Sequence, residues 1–160
     1  MDYMAQKTYP MTAEGKQKLQ KQLEDLRLHK RPEVIKRIKI ALGYGDLSEN
    51  TEYTSAKNEQ SLLEGKIQTI EHMLQYSKVV DNSSTSNNVV NVGRTVTFKN
   101  LKNNQSMKYE IVGQSEADPL NGKISNDSPI AKGLMGKKLG QTVDIKIPAG
   151  TVKFKITAVK

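Results

Sequence analysis

The chain has no cysteine and no tryptophan, and only two phenylalanines, six tyrosines and two histidines stand among its 160 residues. Without cysteine there is no disulfide, no thiolate metal site and no cysteine nucleophile, which fits a reducing compartment. A hydrophobic share of 36% with 5% aromatic implies modest cores, as in a chain that is partly an elongated hairpin. No apolar run approaches membrane-spanning length, and the N-terminus lacks the apolar core of a signal peptide. A soluble, cytoplasmic protein without a membrane partner is therefore expected. His29 and His72 lie in helical patterns with no metal-ligand spacing and are read as structural. Gly133-Leu134-Met135-Gly136-Lys137-Lys138 lacks the spacing of a phosphate-binding loop, and its glycines read as helix termination.

Charge is plentiful and uneven. The net charge is +8, and twelve of the 25 basic residues but only five of the 17 acidic ones lie from Gly93 onward. Such a bias suits a partner that is nucleic acid or an acidic protein surface, and equally suits lysines that keep strand edges soluble.

Two periodicities divide the chain. Thr12 is a plausible N-cap for a helix whose apolar stripe runs through Leu19, Leu23, Leu26, Leu28, Ile35, Ile38 and Leu42. Pro32 removes a backbone donor and crowds the preceding turn, so a kink or a shifted stripe is expected there. Gly43 and Gly45 end the pattern. A second helix starts near Ser48–Thr51 with Ala56, Gln60, Leu63, Ile67, Ile70, Leu74 and Ser77 in alternating steps of four and three, the coiled-coil spacing. The short break makes the two helices antiparallel neighbours, an arm of about 45 Å at about 1.5 Å per residue. Beyond the polar run Asn82–Asn88, period-two segments at 95–98, 108–112, 143–147 and 152–156 read as strands, and Ser128-Pro129 opens a short helix. The expected fold is α+β: a coiled-coil domain over 1–80, a linker over 81–92, and a small antiparallel β domain with one short helix over 93–160.

The hairpin tip carries the chemistry. Gly45-Asp46-Leu47-Ser48-Glu49-Asn50-Thr51-Glu52-Tyr53 places three acids at the break of a basic chain. Asp46 and Glu49 have the spacing of a capping box for the second helix. They also make a pair of hard oxygen donors of the kind Mg²⁺ takes, too few to hold the ion alone. An active site built on them would be completed by another protein, and the isolated chain is expected to be neither an enzyme nor a holder of a cofactor.

Arg31-Pro32-Glu33-Val34, the tip sequence, Ala56-Lys57-Asn58-Glu59-Gln60, Ile111-Val112-Gly113, Glu116-Ala117-Asp118 and Ser128-Pro129-Ile130-Ala131-Lys132-Gly133-Leu134-Met135-Gly136-Lys137 follow one another in this order. Together they resemble the GreA/GreB family of bacterial transcript-cleavage factors, nearest its GreA branch, over nearly the whole chain. The resemblance implies a C-terminal domain similar in fold to FKBP-type prolyl isomerases, and a monomer that binds RNA polymerase at the secondary channel. It implies that Asp46 and Glu49 assist in the polymerase active site, sharing its Mg²⁺, so that backtracked nascent RNA is cut and elongation resumes. It assigns polymerase docking to Asp127, Ser128 and Pro129. Leu42 stands where family members often carry Arg, a position associated with the RNA 3′ end. Lys57 on the facing helix is the basic candidate for that contact. A non-cleaving channel regulator and an independent basic nucleic-acid-binding module are the alternatives.

Overall fold

Helix α1 (Ala13–Asp25) begins where Thr12 caps it: the Thr12 hydroxyl accepts the backbone N–H of Gly15 at 3.0 Å. In this computed structural model, which describes residues 7–45, 49–82 and 88–160, the helix does not stop at its thirteenth residue. It widens into a π-helical turn over Leu26–Lys30 and continues as α2 (Arg31–Leu42), with the Arg31 N–H reaching back to the Leu26 carbonyl. The widened turn lies just before Pro32, where a regular ladder would lack a donor and crowd the ring.

That turn resets the helix's buried face. Leu19, Leu23 and Leu26 are buried, and the next buried residues are Val34 and Ala41. Leu26 to Val34 is a step of eight where a heptad would give seven, so the π turn inserts one residue into the repeat. The expected continuation through Leu28, Ile35 and Leu42 is thereby corrected: these are exposed, and Ile38 is half-buried. The facing helix α3 (Thr51–Gln75) follows its expected register, with Ala56, Ile67 and Ile70 buried and Gln60, Leu63 and Leu74 half-buried. Ser77 falls beyond its end.

Arg27 pairs with Glu71, Arg31 with Glu64 and Arg37 with Glu59. Partners descend on one helix as they ascend on the other, which is the signature of an antiparallel hairpin. Arg31 grips Glu64 with two parallel bonds of 2.7 and 2.8 Å, a geometry that fixes orientation as well as charge. The hydrogen bonds from the two arginines hold the Glu64 and Glu59 carboxyls below the usual carboxylate range.

The chain divides into two compact units, one of Gln17–Tyr76 and the other of Met1–Lys16 with Ser77–Lys160. In the second, strands β1 (Tyr9–Met11) and β2 (Ser77–Val79) pair in parallel. Three residues each is too short to show a period, and neither strand was legible in the sequence. The larger sheet takes β3 (Thr95–Asn100), β4 (Ser106–Val112), β5 (Lys123–Ser125), β6 (Thr142–Ile147) and β7 (Gly150–Val159) in the order β5-β4-β3-β7-β6. Four strands are antiparallel as expected, and β5, absent from the sequence reading, joins β4 in parallel.

One face of this sheet is apolar. Val96, Phe98, Ile111, Ile124, Val143, Ile145, Phe154 and Ile156 form its core with Ala131 and Leu134 of helix α4 (Pro129–Leu134). Phe98 meets Phe154 edge-on at 5.2 Å, a favoured aromatic geometry. Val90 and Val92, in the polar stretch read as a linker, are buried in the same core. Gly133 is not a terminator: a Cβ there would lie 2.7 Å from Ile145 Cγ1, so the helix presses on β6 through the missing side chain. Gly136, at φ +75°, is the residue that ends the turn.

Candidate functional site: the hairpin tip

Asn50 organises the described part of the tip. Its Oδ1 accepts the Tyr53 N–H at 3.0 Å as N-cap of α3, and its Nδ2 donates to the Ala41 carbonyl of α2 at 2.6 Å. One side chain thus satisfies an orphan donor of α3 and adds a second donor to a carbonyl in the last turn of α2 that also accepts the Tyr44 N–H at 3.1 Å. This corrects the capping-box reading. Glu49 precedes the cap instead of sitting at the third helical position, so it is not engaged in the helix start. Asn50 went unnoticed in the sequence because the neighbouring acids offered a competing cap with the expected spacing.

Glu49 is exposed and, with Tyr44, Asn50, Thr51 and Glu52, lines an open depression of about 380 Å³. Tyr44 is 66% exposed and Leu42 47%, so the tip shows apolar surface beside its acids. Asp46, with Leu47 and Ser48, lies outside the described residues. Among the described residues no group of three or more His, Cys, Asp or Glu could hold a metal ion.

The remaining candidates lie outside the tip sequence. Lys57, on α3, is exposed and donates to Gln60 Oε1 at 3.1 Å, a contact within one helical turn. Ser128 caps α4 by accepting the Ala131 N–H at 3.2 Å, and Pro129 is exposed at the first turn. Asp127 beside them is 38% exposed and already engaged: its Oδ2 accepts from Gln114 Nε2 and stands 3.9 Å from Lys7 Nζ. Asp127 is thus held on two sides while part of its side chain stays exposed. His29 is exposed, and the ring of His72 meets Tyr76 edge-on at 4.8 Å.

A contact that sequence could not reveal fixes the start of α1. The Glu116 carboxylate accepts from the Thr12 hydroxyl at 3.0 and 3.2 Å, across 104 residues. It fills the space that a side chain on residue 15 would need: a Cβ on Gly15 would stand 2.1 Å from its carboxyl carbon. A carboxylate at a helix start is favoured by the unsatisfied N–H groups there. Among the described residues no helix is long and apolar enough to cross a membrane.

Comparison with known proteins converges on one family. The family model described as transcription elongation factor, N-terminal, matches residues 9–79, and that described as transcription elongation factor, GreA/GreB, C-term, matches residues 85–160. Transcription elongation factor GreA 2 of Lactiplantibacillus plantarum is 61% identical over 154 residues, covering 96% of each chain. Transcription elongation factor GreA of Limosilactobacillus fermentum is 58% identical, covering 97% of this chain and 98% of its own. The crystal structure of GreA factor homolog 1 (Gfh1) of Thermus thermophilus is 24% identical, covers 96% of this chain and 99% of that one, and has a TM-score of 0.45. With both halves matched, and in the expected order, the chain belongs to the GreA/GreB family of transcription elongation factors.

Proposed function

We propose that the protein binds bacterial RNA polymerase through the secondary channel and stimulates the polymerase's own cleavage of backtracked nascent RNA. It acts as an accessory factor and supplies carboxylates, not a complete active site. The observation that carries this reading is Glu49: an acid at the break of an antiparallel hairpin, exposed, and released from helix capping because Asn50 does that work. Asp46 and Glu49 would hold the Mg²⁺ together with ligands of the polymerase, and two carboxylates with open positions are within the range that ion accepts. When bound, the ion lowers the pKa of water and neutralises charge developing at phosphorus.

The role of this chain's own residues is positional. Asn50 ties both helix ends immediately beside Glu49. The domain division 1–80, 81–92 and 93–160 is retained as a functional one: reach in the first part, polymerase docking in the last. Pro129 is the exposed docking candidate, Asp127 acts through its hold on Gln114, and Ser128 sets the helix start. Lys57 is the candidate contact for the RNA 3′ end. The protein works as a monomer in the cytoplasm, beside its polymerase.

The test is a stalled, backtracked elongation complex with labelled RNA. Asp46→Ala and Glu49→Ala should each abolish stimulated cleavage while polymerase binding stays within a few fold. The protein alone should leave free RNA intact at millimolar Mg²⁺. Equal loss of binding and cleavage in folded variants would refute the division of labour, and cleavage of naked RNA would make the protein an enzyme in its own right.

A further inference from the structure

The face of the five-stranded sheet turned away from the core carries six lysines: Lys99, Lys108, Lys123, Lys146, Lys153 and Lys155. Their side is fixed by register. Lys99 lies opposite Lys155, Lys108 opposite Thr97, Lys146 opposite Thr151 and Lys155 opposite Thr142, while the alternate positions Val96, Phe98, Val143, Ile145, Phe154 and Ile156 are buried. Two carboxylates share the face and each meets one lysine, Glu110 opposite Lys123 and Asp144 opposite Lys153. Lys99, Lys108, Lys146 and Lys155 have no carboxylate directly opposite. None of the six takes part in an ion pair among the described residues.

Solubility alone does not account for the pairing of Lys99 with Lys155. Like charges directly opposite on neighbouring strands destabilise a sheet, and a solvated surface can be kept soluble by interleaving signs instead. Arrangements of this kind are relieved when an anion of high charge density covers them. We infer that this sheet face is a docking surface for the backbone of duplex DNA.

Three features select that occupant. The lysines are spread across all five strands and do not follow one line, so they suit a surface that presents phosphates in two dimensions. Hydroxyls from Thr97, Thr142 and Thr151 stand opposite them, and such groups also bond phosphate oxygens. No aromatic side chain lies on this face, since Phe98, Phe154 and Tyr109 pack with the core, whereas single-strand binders stack bases on aromatic rings. The face therefore reads backbone and not sequence, and it does not depend on the tip chemistry or on the cleavage activity.

The experiment is fluorescence anisotropy of the full-length protein with a labelled random-sequence duplex, titrated at salt from 50 to 200 mM. Neutralising four phosphates predicts a log–log salt slope of about −3.6, a loss of roughly 100-fold in affinity over that range. Lys99→Gln with Lys155→Gln should bring the slope to about −1.8 and the loss to roughly 10-fold. The control, Lys36→Gln with Lys39→Gln, removes the same charge from α2 and should leave the slope unchanged. Thermal melts establish that all variants are folded, with Lys99→Gln melting above the parent at low salt. An equal effect of the control pair, an unchanged slope in the sheet pair, or tighter binding of single-stranded RNA than of duplex overturns the assignment.

Discussion

Glu116, Thr12 and Gly15 show how one absent atom can decide a contact. Glycine inside a helix costs about 1 kcal/mol relative to alanine, yet at position 15 it is the only residue that leaves room for the Glu116 carboxylate. Gly15→Ala should therefore bring no net stabilisation: the helix-propensity gain of about 1 kcal/mol is offset by about 0.5–1.5 kcal/mol for each hydrogen bond lost as its Cβ displaces the end of the Glu116 side chain from Thr12. In a Glu116→Ala background the same change should be neutral or stabilising, since only helix propensity then remains. Denaturant unfolding of the two single variants and the double variant measures the coupling, and simple additivity would show that the carboxylate can move aside freely. At this scale the sequence was partly legible. Thr12 could be recognised as a cap from its own neighbourhood, whereas its partner 104 residues away could not.

Elements follow the same division between local and distant causes. The α3 seam was readable because nothing interrupts its steps of four and three between Ala56 and Leu74. The α1–α2 seam was not, because one residue added within Leu26–Lys30 turns everything after it by about 100°. Proline signalled that something happens there, but periodicity alone cannot tell a kink from a widened turn. The register makes a sharp comparison. Val34 is 3% exposed and Ile35 38%, so Val34→Asp should unfold the hairpin by burying an unpaired charge, while Ile35→Asp should change stability by about 0.5 kcal/mol or less. Helical circular dichroism against temperature distinguishes them, and the reverse order would restore the uninterrupted heptad. Strands longer than four residues were found from alternation, while β1, β2 and β5 have only three residues each and owe their existence to partners elsewhere in the chain.

For the molecule as a whole, Val90 and Val92 set a limit on where the β-rich unit can be cut. Both are at most 1% exposed, so a fragment starting at Gly93 leaves two holes in its core, at a cost comparable to large-to-small core substitutions of about 2–5 kcal/mol. A fragment starting at Ser77 should melt at a clearly higher temperature than one starting at Gly93, and equal melting temperatures would show that Val90 and Val92 add little to the core. The α+β class and the hairpin were open to a reader of the sequence because they rest on period. The membership of Met1–Lys16 in the second unit was not, because it rests on β1 meeting β2 from opposite ends of the hairpin. That parallel pair gives the hairpin the status of an insert: Gln17–Tyr76 leaves and re-enters the other unit at neighbouring points. An insert of this kind can be lengthened or shortened without rewiring its host. Adding one heptad to each helix, in register with the seam, would lengthen the hairpin by about 10 Å while leaving the sheet and core of the other unit as they are. The length of the hairpin is in that sense written in heptads, independently of its host.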